Sequence, residues 1–266
     1  MTEPYLFHSG TAPLLVSVPH DSRFIPPEIA ARMTPAALRT PDTDWHVAKL
    51  YDFAASLGAS VLAPTHSRYV IDLNRDPAGA VLYPGEDNTE LCPVTTFTHE
   101  PIYREGEEPD EAEIAERIER FWRPYHDRLA GEIAAIRSRF GVAMLFDGHT
   151  IKTQVPRFFE GRIADLNLGT GRGASADPVL ARDALSLLSA SGYSAVLDDR
   201  FTGGYITRHY GDPAAGVHAI QLELTWRTYM DEATFEYLPG RADRLKAQLR
   251  ALLRLILRWA GERAAG

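Results

Sequence analysis

The sequence predicts an α/β fold, a three-layer sandwich with a mixed, largely parallel central sheet, and three observations carry that expectation. Short apolar runs alternate with longer helical patterns along the chain. The last apolar run alternates apolar and polar residues with a period of two, as a half-buried strand does. Polar residues with ligand chemistry follow directly on buried-looking runs, the placement expected at the carboxyl edge of an open α/β sheet.

The expected strands are Leu14–Val18, Ser60–Leu62, Tyr69–Leu73, Val142–Phe146, Ala195–Leu197 and His218–Leu224. Thr43 is expected to cap a helix that runs to about Leu57 and stops at Gly58, and Asp177 followed by Pro178 opens another that ends before Gly192. Between Asp110 and Phe140, Ile114, Ile118, Phe121, Tyr125, Leu129, Ile133 and Ile136 share one face, but Pro124 lies inside the run, so a bent helix or a pair is expected. Arg241–Arg258 places leucines at helical spacing beside several arginines and reads as a helix covering the sheet. Segments 77–108 and 154–175 lack periodicity and exceed the usual connection length. They are expected to be ordered loops that build or cover a site.

At 266 residues, with 45% hydrophobic and 24% charged residues, the chain has the material for one α/β domain spanning 1–266. Its net charge of −8 comes from acids and bases scattered without a basic stripe, which argues against a nucleic-acid partner. A single cysteine, Cys92, excludes an intramolecular disulfide and a paired-cysteine metal knuckle. No run of about 18 apolar residues occurs, and the beginning of the chain does not read as an export signal, so a cytoplasmic protein without membrane association is expected.

Chemistry concentrates at strand ends. LLVSVPH ends at His20 and VAMLFDGH at His149; two histidines delivered to one sheet edge can share a metal if a carboxylate joins them. Asp44, in PDTDWH, is the candidate third ligand, with Asp21, His46 and Asp147 as competitors. In HAIQLELT, Gln221, Glu223 and Thr225 share the face opposite Ile220, Leu222 and Leu224, and burial would raise the Glu223 pKa and suit it to proton transfer. SRYVIDLNRD sets Asn74 beside Arg75, with Arg68 upstream: an amide and a guanidinium fork suited to holding a carboxylate, or an ion pair with Asp72 or Asp76. DRFTGGYITRHYG joins the Gly203–Gly204 pair to Arg208 and His209, either a close-approaching backbone over a small anion or an exposed turn. No GxSxG elbow offers a serine nucleophile.

The motifs SVPH, PDTDWH, SRYVIDLNRD, LYPG, LCPVTTFT, EPIY, DGHT, FEGRIADLNLGT, FTGGYITRHYG and HAIQLELTWRTYMDE occur in this order, and across nearly its whole length the chain resembles the N-formylglutamate amidohydrolases. The resemblance implies a zinc-type hydrolase that releases formate and L-glutamate in a route of histidine breakdown, with a fold distantly similar to zinc carboxypeptidases. It further implies that His20 and His149 are metal ligands, that Glu223 is the general base, and that Asn74 and Arg75 hold a substrate carboxylate. The sequence departs from carboxypeptidases where they carry a glutamate three residues after the first histidine; Arg23 stands there, so Asp44 as third ligand is this sequence's own inference.

On this reading the substrate is a small acidic N-acyl amino acid, the cofactor is Zn2+ or another divalent transition metal, and Arg208 contacts the oxyanion or a substrate anion. A zinc deacylase of other N-acyl amino acids and a non-catalytic dicarboxylate-binding protein are the alternatives.

Overall fold

The computed structural model describes residues 3–264. Among them are seven strands, β1 (Tyr5–His8), β2 (Leu14–Ser17), β3 (Ser60–Pro64), β4 (Ala143–Ile151), β5 (Leu166–Gly169), β6 (Ala195–Leu197) and β7 (Val217–Thr225). They form one sheet in the spatial order β1-β3-β2-β4-β7-β5-β6. Strands β3, β2, β4 and β7 run parallel; β1 joins one edge antiparallel, and β5, parallel to β6, pairs antiparallel with β7. The α-helices are α1 (Pro27–Ala30), α2 (Val47–Leu50), α3 (Glu111–Arg117), α4 (Arg123–Phe140), α5 (Pro178–Ser189), α6 (Tyr205–Tyr210) and α7 (Pro239–Ala264).

Alternation along the strands divides the core in two. Leu14, Val16, Met144, Phe146, Ile220, Leu222 and Leu224 pack with α2, α5 and α7, whereas Leu15, Leu62, Leu145 and Ala219 lie under α4, α6 and the run Tyr69–Leu73. The result is the expected α/β sandwich of three layers with a mixed, mostly parallel sheet. Each fully buried leucine or phenylalanine contributes roughly 1.5–3 kcal/mol, which makes the central strands the rigid base on which the site is set.

The helix start read at Asp177 is borne out, its side chain accepting from the amides of Val179 and Leu180, and the structure adds a cap at Asp110, which accepts from that of Glu113. The expected division falls just before Pro124, which stands in the first turn of α4, where its missing N–H costs no helical bond. A wide turn at Ile118–Trp122, in which Arg123 N–H reaches back to the Ile118 carbonyl, joins α3 to α4.

Several expectations are corrected. Tyr69–Leu73 is buried but is not a strand: Val70 N–H donates to the Ser67 carbonyl, Asp72 N–H to that of Leu91, and Asn74 N–H to the Asp72 carboxylate, so the segment turns instead of extending a ladder. Thr43 does not cap a helix reaching Leu57. The chain there spends four residues presenting Asp44: Asp44 N–H bonds the His20 carbonyl and His46 takes a left-handed φ of 63°. Only Val47–Leu50 and a short tight turn at Ala54–Leu57 are helical. Two strands, β1 and β5, carry no clear sequence signal, and β5 lies within the segment expected to be loop. Gly148 is favoured inside β4, because a Cβ there would lie 2.8 Å from the ring of Tyr51, the residue that follows α2.

Candidate metal centre and active site

The chain leaves β2 toward β3 on one side, and β4 lies on the other, so a crevice opens at their carboxyl ends. His20 follows β2 closely, while β4 continues through Ile151 and carries His149 within the strand, in register with Glu223 of β7. Asp44 enters from the α2 side. Its backbone N–H donates to the His20 carbonyl (3.1 Å), and its Oδ2 accepts from Thr150 N–H (3.0 Å), which ties it to both histidine-bearing segments.

His20 Nδ1 and His149 Nδ1 approach Asp44 Oδ2 at 3.8 and 3.2 Å, and one ligand atom from each of the three buried residues lies within 4.8 Å of the others. The outer ring nitrogens are held by separate carboxylates: His20 Nε2 is 2.7 Å from Asp72 Oδ1, and His149 Nε2 is 2.9 Å from Asp147 Oδ2. Arg68 anchors Asp72 (2.6 Å), and Ser17 Oγ donates to Asp147 (3.0 Å). An ionised carboxylate only accepts, so both Nε2 atoms donate, which leaves the two Nδ1 atoms that face Asp44 as the nitrogens that could bind a metal. His20 Nδ1 is buried without a hydrogen-bond partner. Three lone-pair donors converging on one point, backed by carboxylates on the histidines' far sides, fit a divalent transition metal with coordination left open.

The charge balance agrees. Fully ionised, the carboxylates of Asp44, Asp72, Asp147 and Glu223 face the guanidinium groups of Arg68 and Arg75, an excess of two negative charges that a dication closes. Without a cation, protons take its part. Burial disfavours the charged His149, yet Asp147 and Asp44 outweigh it and hold the ring well above the usual imidazole range. Burial likewise raises Asp44, but hydrogen bonds and charge from His149 and His20 win and keep it well below the usual carboxylate range. Burial also pushes Glu223 from 4.5 up to about 8, reinforced by Asp44 and Asp147 and opposed by His149 and Arg68.

One pH dependence follows. Between about 4.5 and about 8 the folded, metal-free protein keeps the Glu223 proton that the unfolded chain has released, so folding is favoured at the low end and weakens as pH rises through this window. Thermal unfolding of chelator-treated protein from about pH 5 to about pH 8 should show a falling midpoint, less steep in Glu223→Gln, while apparent metal affinity rises over the same range. A midpoint slope unaltered by the substitution would mean that Glu223 titrates normally.

The cleft is lined by His20, Asp44, Arg68, Asn74, Arg75, His149, Gln221 and Glu223, with a wall of Tyr83, Phe97, Phe158 and Phe201. Arg75 spends three N–H bonds on Thr89 and on the Asn74 carbonyl, leaving two of its five donors. Asn74 Oδ1 accepts from Ile206 N–H at the start of α6, while its Nδ2 lies 3.1 Å from His149 Nε2, in contact with a nitrogen whose proton already goes to Asp147. Gly204 packs against that amide so closely that a Cβ would lie 2.2 Å from Nδ2, and its own N–H donates to Gln221 Oε1 (2.8 Å). Arg208 stands outside the cleft walls, donating to the Leu82 carbonyl and to Thr202 Oγ1. Of the competitors for the third ligand, Asp147 sits behind His149, Asp21 accepts from Ala48 N–H, and His46 Nε2 bonds the Phe235 carbonyl. Sequence reading missed the cleft positions of Arg68 and Gln221. A charged residue inside an apolar run, and a polar neighbour two residues before Glu223 on the same strand face, were the available signals.

The family model for N-formylglutamate amidohydrolase matches residues 12–230, a span that contains all of these side chains. The chain belongs to this family. Among curated family members, the N-formylglutamate deformylase of Pseudomonas putida is 46% identical over 259 residues, covering 97% of each chain. That of Pseudomonas aeruginosa is 46% identical over 267 aligned positions, covering 100% of both. The crystal structure of N-formylglutamate amidohydrolase from Ralstonia eutropha superposes with a TM-score of 0.79 at 28% identity, covering 97% of each chain. Among the described residues, no helix is long and apolar enough to cross a membrane.

Proposed function

We propose that this family member hydrolyses N-formyl-L-glutamate to formate and L-glutamate, with zinc as its metal. The observation that carries the reaction type is a buried carboxyl, Glu223, lining the same narrow cleft as the His20–Asp44–His149 cluster. The substrate follows from full-length relatives that bear the name N-formylglutamate deformylase.

A divalent metal held by His20, Asp44 and His149 supplies a water of lowered pKa and a Lewis acid for the amide carbonyl. Glu223 accepts the proton of the attacking water and returns it to the leaving nitrogen, a task suited to a carboxyl whose pKa burial has raised. Arg68, buried at the floor and neutralised by Asp72, holds positive charge near the carbonyl oxygen as it becomes anionic. The two free N–H bonds of Arg75 hold a substrate carboxylate. Asn74, holding Ile206 N–H through its Oδ1, packs between His149 and the Gly204 backbone and closes one side of the cleft.

The test is release of formate and glutamate from N-formyl-L-glutamate, with N-acetyl-L-glutamate alongside, before chelation, after it, and after zinc is restored. Formyl-selective turnover that disappears with chelation and returns with zinc is expected. Faster turnover of the acetyl compound would assign the chain to deacylation of larger N-acyl amino acids, and chelator-insensitive turnover would remove the metal from the mechanism.

A further inference from the structure

We infer that Arg157, Arg200 and Arg208 are positioning residues that strap segment 82–88 in place as a wall of the cleft and thereby set how tightly substrate is held. For its assay substrate the inference rests on the function proposed above.

Segment 82–88 contributes Leu82 and Tyr83 to the cleft but belongs to no strand or helix. Asn88 closes it on itself, accepting from Tyr83 N–H (3.0 Å) and donating to the carbonyls of Tyr83 (2.8 Å) and Glu86 (2.7 Å). Beyond that, three guanidinium groups from two parts of the chain attach it, one at position 157 and two from the segment 200–208. Arg208 Nη1 donates to the Leu82 carbonyl (2.8 Å), Arg200 Nη2 meets Glu86 Oε2 (2.7 Å), and Arg157 Nη2 reaches Asp87 Oδ1 (2.9 Å) and the Asn88 carbonyl (3.2 Å).

Each arginine also grips another part of the cleft rim. Arg157 Nη1 donates to the Thr96 carbonyl (2.7 Å), beside Phe97, and Arg200 Nε donates to the Phe158 carbonyl (2.5 Å). Arg208 Nη2 holds Thr202 Oγ1 (2.8 Å), next to the Gly203–Gly204 turn. Arg200 and Arg208 both lie 5.0 Å from the Tyr83 ring centre, and Phe97 meets Phe158 edge to face at 4.9 Å. Thus Tyr83, Phe97, Phe158 and Phe201, supplied by loops far apart in sequence, are joined into one wall through guanidinium groups that do not themselves line the cleft. The acidic partners are half-exposed, Glu86 at 50% and Asp87 at 38%, so the strap is salt-sensitive and releases more readily than the buried metal cluster does.

The test pairs Arg200→Gln with Glu86→Gln, the latter a half-exposed position whose change leaves the fold intact. Hydrogen exchange of segment 82–88 should quicken in both, with metal content unchanged, and the KM for N-formyl-L-glutamate should rise about tenfold while kcat stays within about twofold. Unchanged exchange in both variants would overturn the strap. Faster exchange with unaltered KM would overturn its role in holding substrate. If wild-type protein turns over no N-formyl-L-glutamate, the proposed function fails by itself, and the exchange measurement alone decides the strap.

Discussion

Glu223→Gln is expected to lower kcat about a thousandfold, or ~4 kcal/mol of barrier, while metal content stays at the wild-type level and KM changes little. The substitution keeps the volume and planar shape of the side chain within β7, so packing against neighbouring strands survives. What disappears is the group that can accept a proton from water and return it to nitrogen. Because a carboxyl raised to about 8 by burial is mostly protonated but still roughly one-tenth ionised at pH 7, both forms are present to take and to give the proton, and an amide can do neither. Steady-state kinetics with metal analysis on the same samples check this. A variant of near-normal rate and full metal content would transfer the base role to another group, and one that loses its metal would make Glu223 part of the ligand cluster.

His149→Ala should remove metal and turnover together. The imidazole lies between Asp44 (3.2 Å) and Asp147 (2.9 Å), so its loss takes away one ligand and leaves two buried carboxylates without their shared cationic or hydrogen-bonding partner. A destabilisation of about 3–5 kcal/mol is expected from breaking a buried pair of this kind. Asp147→Asn keeps the imidazole but weakens its hold on the ring, and is expected to bind metal about 10–100-fold less tightly while still folding. Metal titration of both variants, with circular dichroism to confirm folding, separates the ligand from its support. Full metal binding by a folded His149→Ala protein would disprove the His20–Asp44–His149 centre.

Much of this site was legible along the chain because strands impose their own geometry. Period-two alternation in HAIQLELT is enough to set Glu223 opposite the apolar face, and VAMLFDGH sends His149 to the edge where β4 emerges from the core. The same alternation places Asp147 and His149 on one face, which let Asp147 compete as a ligand. Its actual place, behind the ring at Nε2, depends on how far the imidazole leans toward Asp44, 105 residues away in sequence. The Asp177 cap was equally readable, since its two acceptor contacts are with residues two and three positions on.

Where local and long-range demands conflict, the sequence signal failed. Tyr69–Leu73 is as apolar as a strand, but Asp72 is drawn by Arg68 and His20 into the site and the backbone turns around it. Residues 43–46 carry helix-start chemistry, yet the backbone bends away to bring Asp44 onto Thr150 N–H. Arg208 looks like a free cation beside a glycine pair, and its donation to the Leu82 carbonyl, 126 residues earlier, is a contact that no local signal announces.

The sequence by itself therefore determined the α/β class, the strands that carry His20, His149 and Glu223, and the family, because these depend on local periodicity and on motifs in a fixed order. The tertiary structure alone decided the pairing of Asp72 and Asp147 with the two histidines, the engagement of Asn74 within the protein, and the aromatic wall with its arginine strap. Apart from the Asp147–His149 contact, which joins residues two apart on β4, those features arise from hydrogen bonds and packing between segments tens to more than a hundred residues apart, whose meeting is set by sheet order and register and leaves no mark in either segment alone.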